Sequence, residues 1–192
     1  MLERGKERAL AERLDITFQE ADAEALPVEG ESFDVVLSTF GVIFAPDQLK
    51  VTKQLARVCR PGGRIGLANW TPEGFIGQLF KTLGHQLPPP ADVQPLSRWG
   101  VESHLHTLFC RSAASIAPTP RMFNFRYRST AHFIDTFRTR YGPVHKASAA
   151  LPAGKTAVLE SDMTALLNSF HTAGDKSLVV PREYLEIVIT RK

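Results

Sequence analysis

Residues 58–70, VCRPGGRIGLANW, constrain the fold of this chain more than any other stretch. A helix running into Arg60 has to stop at Pro61-Gly62-Gly63, and a short apolar strand leaves at once toward Asn69 and Trp70. Upstream, FDVVLSTFGVIF (33–44) sets Val35, Val36 and Leu37 in unbroken succession, the pattern of a strand covered on both faces. Pro46 and Asp47 then open a helix in which Val51, Leu55, Val58 and Cys59 fall at i, i+4, i+7 and i+8, with Lys50, Lys53 and Arg57 turned outward. Strand, helix, turn and strand make a βαβ unit, whose strands are parallel and joined by a right-handed crossover.

The rest of the chain reads as further elements of one domain. Residues 1–14 suit a helix, DITFQEAD (15–22) a short strand, and AEALPVEGESF (23–33) a loop broken by Pro27 and Gly30. Another helix fits 74–84, LPPPADVQP is a stiff connector, and VESHLHTLF is a short amphipathic helix. RMFNFRYRS (121–129) alternates, with Arg121, Phe123, Phe125 and Tyr127 on one face and Met122, Asn124, Arg126 and Arg128 on the other. Helices are expected near 130–141 and 155–172, and EYLEIVIT (183–190) as a last strand. With 192 residues, 43% of them hydrophobic, the chain can bury a real core. Its apolar runs are too short to span a bilayer, and MLERGKERALAERL lacks the features of a signal peptide, so a cytoplasmic protein is expected. The net charge of +3 permits anionic partners without arguing for them. Cys59 and Cys110 form no CxxC pair and are expected to be buried, inert thiols.

Four stretches, in this order, resemble the class I S-adenosylmethionine-dependent methyltransferases, in the group related to ubiquinone and menaquinone biosynthesis methyltransferases: EADAEALP, SFDVVLSTFGVIF, RVCRPGGRIGLANW and VVPREYLEIVITRK. The resemblance implies a Rossmann-like α/β fold, a mostly parallel sheet with an antiparallel C-terminal strand. It implies S-adenosylmethionine as cofactor, a small-molecule methyl acceptor, and no nucleic-acid partner. Asp22 would accept a hydrogen bond from the adenine amino group, the N–H of Ala23 would meet the ring, and Ser38, Thr39, Phe40 and Gly41 would line the methionine end. These positions sit where open α/β sheets bind ligands, outside the carboxyl ends of parallel strands. Residues 1–73 would form the cofactor side and 74–192 the acceptor side of a single, partial domain.

The family's glycine-rich loop and the acid that holds the ribose have no counterpart here. The chain is therefore expected to lack the first βαβ unit, as a late-start fragment or a true truncation, and to leave an edge of the sheet open. An apolar open edge favours self-association. A non-catalytic remnant acting through itself or a partner is thus the alternative to an enzyme.

Other residues read more plainly. Asp22 could simply hold its own turn, and Gly41 could serve a bend. His104, His106 and Cys110 are too few, and His104 and His106 too badly placed, for a zinc site, so no metal is expected. His85 and His132 are candidate bases with no visible partner. Arg121, Arg126 and Arg128 among aromatics suggest an RNA-binding strand, but no second motif accompanies them.

Overall fold

The computed structural model describes residues 2–90, 93–174 and 177–192. A first helix, α1 (Leu2–Ala11), and a long irregular segment lead into β1 (Phe33–Thr39). A 3-10 turn (Val42–Phe44) precedes α2 (Gln48–Val58), which runs directly into β2 (Cys59–Trp70). Then come α3 (Phe75–Gln86), a second 3-10 turn (Leu96–Gly100), α4 (Glu102–Phe109) and β3 (Ala113–Tyr127). Three helices, α5 (Thr130–Arg140), α6 (Gly142–Ala150) and α7 (Ala153–Phe170), lead to β4 (Leu178–Arg191).

The sheet has the order β1-β2-β4-β3. β1 and β2 are parallel, while β4 runs antiparallel to both β2 and β3. Asp47 caps α2 by accepting the Lys50 N–H at 3.0 Å, so the first turn has a partner for an otherwise orphaned donor. At its far end the chain reverses through Gly62, whose φ of +74° only glycine adopts cheaply. Gly63 serves differently: a Cβ there would lie 2.8 Å from both the Asp34 carbonyl oxygen and the Cys59 sulfur.

Register sorts the side chains. Ile65, Leu67 and Asn69 of β2 stand opposite Ile189, Ile187 and Leu185 of β4, all buried on one face with Val51 and Leu55 of α2 in the same core. Each fully buried aliphatic side chain contributes about 1.5–3 kcal/mol. Further along the β3–β4 ladder, Phe125 meets Phe75 of α3 and Phe133 and Phe137 of α5 edge to face. The other face of β1 is open. Leu37, Gly66 and Val188 lie side by side across three strands, with Leu37 74% and Val35 52% exposed.

Three expectations are corrected and one element is added. Residues 15–22 pair with no strand, and the Phe18 ring instead lies where a Cβ on Gly5 would be. β1 is covered on one face, not two. Cys110 is exposed, whereas Cys59 is buried and its thiol is pushed up by that burial, offset by the nearby Arg191 and Arg60. Helix α6 lies where no element was expected, opened by Pro143 in its first turn.

Candidate functional site

The carboxyl ends of β1 and β2 lie together, and the residues there are unusually constrained. Phe40, just past β1, has φ +56°, a left-handed conformation a bulky residue rarely takes. Its N–H donates to the Ala68 carbonyl at 2.9 Å, continuing the ladder with β2, and its ring stacks on Trp70, centroids 3.9 Å apart. Tyr184 of β4 stands edge-on to both rings. Strained backbone held by packing of this kind concentrates at functional positions.

Ser38 Oγ accepts the Val42 N–H at 3.1 Å and so caps the 3-10 turn. A Cβ on Gly41 would come within 3.3 Å of that hydroxyl, which is why the position is small. Thr39 is exposed at the end of β1. The second group of expected residues sits in a separate turn. The Asp22 carboxylate accepts the Glu24 N–H at 2.9 Å, and its carbonyl accepts the Ala25 N–H. Ala23 is half-buried against the core. Glu24 ties this turn to the start of α2, accepting the Asp47 N–H at 2.7 Å and pairing with Lys50. The Asp22 turn is thereby anchored to the helix that follows residues 38–44.

Two further residues matter here: Asn69, which the sequence already places at a strand end, and Arg182, which it does not mark. Asn69 is fully buried, and neither its amide nitrogen nor its oxygen has a partner among the described residues. An unsatisfied buried group costs about 1–3 kcal/mol, so a side chain with two such atoms at a strand end is suited to a ligand's donor and acceptor. Arg182 of β4 is 2% exposed and packs its guanidinium against the rings of Phe125, Phe123 and Trp70. Burial pushes it down to about 9, while the Tyr127 and Tyr141 hydroxyls act the other way; it is still a cation at neutral pH. Only a register that pairs Arg182 with Phe123 across the β3–β4 ladder reveals this cluster.

The remaining candidates stay local. His132 accepts the Arg128 N–H in the first turn of α5 and rests on Tyr127, and His85 is exposed on α3. His104 contacts Gln48 Oε1 at 2.6 Å, and its burial, with Arg98 nearby, pushes its pKa down. Arg121 pairs with Glu186 across the β3–β4 ladder at 3.0 Å. No cluster of potential metal ligands occurs among the described residues. Among those residues, too, no helix is long and apolar enough to cross a membrane. A cleft of about 870 Å³ between α2 and the end of β4, lined by Thr52, Lys53, Arg57 and Arg191, opens at the amino ends of β1 and β2, the wrong end for a ligand in such a sheet.

The arrangement defines the class. Residues 1–67 match the methyltransferase domain family. An uncharacterized protein of Mycobacterium tuberculosis is 34% identical over the whole chain, which spans 70% of that relative. A demethylmenaquinone methyltransferase of Deinococcus radiodurans is 29% identical over 73% of the chain and 55% of its own length. The crystal structure of the YcgJ protein from Bacillus subtilis shares the fold with a TM-score of 0.57 at 19% identity, covering 100% of this chain and 79% of that one. The fold is the Rossmann-like one of the class I methyltransferases. The chain belongs to that S-adenosylmethionine-dependent family. S-adenosylmethionine is the family's cofactor, and the residues present fit one wall of a site for it: a turn carboxylate, a strand-end aromatic pair and an unpartnered buried amide.

Proposed function

We propose that the chain transfers a methyl group from S-adenosylmethionine to a small-molecule acceptor at the carboxyl ends of β1 and β2. Residues 1–73 are the cofactor side and 74–192 the acceptor side. The observation that carries this reading is the juxtaposition there of the Phe40–Trp70 stack with the partnerless amide of Asn69. Asp22 and Ala23 would meet the adenine, and Ser38, Thr39, Phe40 and Gly41 the amino-acid end. When bound, the cofactor supplies an electrophilic methyl on a sulfonium. The chain's own residues then bind and orient. The π faces at Phe40 and Trp70 favour a cation beside them, and the Asn69 amide fixes the direction of a polar group. Catalysis of this kind rests on proximity and alignment, with no side-chain base assigned.

Ultraviolet crosslinking of methyl-labelled S-adenosylmethionine tests the reading. Saturable labelling is expected, competed by S-adenosylhomocysteine but not by ATP. Labelling that does not saturate, or that ATP competes equally, overturns it.

A second reading has its own observation. Among the described residues β1 pairs on one side alone and leaves Val35 and Leu37 exposed, which favours a role through self-association of two copies.

A further inference from the structure

Arg182 is a buried cation that has no counter-ion among the described residues. Among the described residues no carboxylate pairs with it and no hydrogen bond reaches it, and its Nε is sealed from solvent with no acceptor. Three aromatic rings surround it instead: Phe125 in closest contact, Phe123 at 4.6 Å and Trp70 at 5.1 Å. Ring faces repay only part of what a charge loses on leaving water. Tyr141, whose hydroxyl is also buried without a partner, and Tyr127 are close enough to act on it electrostatically. The two terminal nitrogens, unlike Nε, are not among the sealed, partnerless atoms. Among the described residues the cluster thus presents one positive fork and two phenols, with no negative charge of its own.

Its place in the fold gives this a direction. Trp70 is shared: one contact is the stack on Phe40 at the end of β1, another is Arg182. The cation therefore lies one ring away from the strand ends, on the side built by the antiparallel β3–β4 pair. We infer that Arg182 binds a carboxylate of the methyl acceptor, so that the substrate is a small monoanionic acid held by a guanidinium fork against Trp70 and Phe123. The inference rests on the methyl-transfer reading for the word acceptor, but the anion site stands on its own geometry. A guanidinium matches a carboxylate with two parallel N–H···O bonds. A single cation with neutral phenols balances one negative charge and leaves a dianion in excess.

Nitrogen-15 arginine NMR on the intact chain tests it, because the sealed Arg182 Nε–H should give a slowly exchanging signal. Titration with benzoate is expected to shift that signal saturably. Benzamide, its uncharged counterpart, should leave it in place, and phenyl phosphate should bind less tightly than benzoate. Arg182→Lys keeps the charge but not the fork and should weaken benzoate, followed by thermal shift, about tenfold. The titration of the unaltered chain decides the matter even where that variant does not fold. No shift with benzoate, or an equal shift with benzamide, overturns the proposal. S-adenosylhomocysteine that displaces benzoate and moves the same signal also overturns it, because the carboxylate would then be the cofactor's. Crosslinking to S-adenosylmethionine without a benzoate shift defeats this inference alone. A benzoate shift without crosslinking defeats the methyl-transfer reading and leaves the anion site.

Discussion

Phe40 and Trp70 stack with ring planes 11° from parallel, and Phe40 does so from a left-handed backbone. The two facts oppose each other energetically. The stack favours the fold by about 0.5–1.5 kcal/mol beyond its area, while a left-handed L-residue costs roughly 1–2 kcal/mol. Replacing the residue by glycine removes both, and alanine removes only the favourable one. Phe40→Ala should therefore destabilise the chain more than Phe40→Gly, by about 1 kcal/mol in urea unfolding. Equal losses would show that the position carries no backbone strain.

The turn of residues 61–63 separates two uses of glycine. Gly62 has a positive φ and open space around it, so Gly62→Asn should be nearly neutral and Gly62→Val should cost at least ~1 kcal/mol. Gly63 has no such φ, but the Asp34 and Arg60 carbonyl oxygens and the Cys59 sulfur close around it. Gly63→Ala should cost about 1–3 kcal/mol by overpacking. Thermal melts in which Gly63→Ala matches the parent would remove the packing argument.

The elements legible in the sequence were those whose signal is local. The βαβ unit from β1 to β2, the Asp47 cap and the two faces of residues 121–127 follow from periodicity and turn chemistry, and they are where the structure places them. What failed depended on neighbours. Ile16 and Phe18 alternate like a strand, yet a strand exists only with a partner, and none lies beside them. β4 starts at Leu178, ahead of the expected Glu183, and around Pro181 it pairs with β3 alone, so the missing N–H is not needed by a second strand. Of the site, Asp22 and residues 38–41 could be named from the resemblance. Arg182 could not, because a buried cation has no sequence pattern until the β3–β4 register sets it against Phe123.

The two thiols should differ in reactivity. Cys110 is exposed and Cys59 is buried with its pKa raised, so the reactive thiolate is scarce at Cys59. Iodoacetamide at neutral pH should label Cys110 rapidly and Cys59 only once urea unfolds the chain. Peptide mapping that finds equal labelling in the native state would contradict the packing of β2 under Arg191.

His104 gives the chain an acid sensitivity. Burial, then Arg98, lowers its pKa below the ordinary 6.5, so the folded state resists the proton that the unfolded chain takes up. The unfolded state binds more protons as pH falls below 6.5, and stability is lost in that direction. The urea midpoint should drop between neutral pH and the acid side of that value, and less so in His104→Gln. Parallel profiles for both chains would place the acid sensitivity in another group.

The open edge of β1 makes the last prediction. In a parallel pair, alternate residues direct their backbone groups to one neighbour. Because the Phe40 N–H donates to Ala68, the N–H groups of Val36 and Ser38 point toward β2 as well, and those of Val35, Leu37 and Thr39 point outward. No described strand meets them. Two chains can satisfy these groups by pairing β1 with β1, and the exposed Val35 and Leu37 side chains add apolar contact. Self-association is therefore expected in light scattering, and it should decrease in Leu37→Lys, since a charge on an edge strand opposes such pairing. Hydrogen exchange should show the same alternation. Val36, Ser38 and Phe40 should stay protected at every concentration, while Val35, Leu37 and Thr39 should lose protection on dilution. A monomer whose outward amides remain protected would mean that another segment of the chain covers the edge, and the pairing of two β1 strands would be wrong.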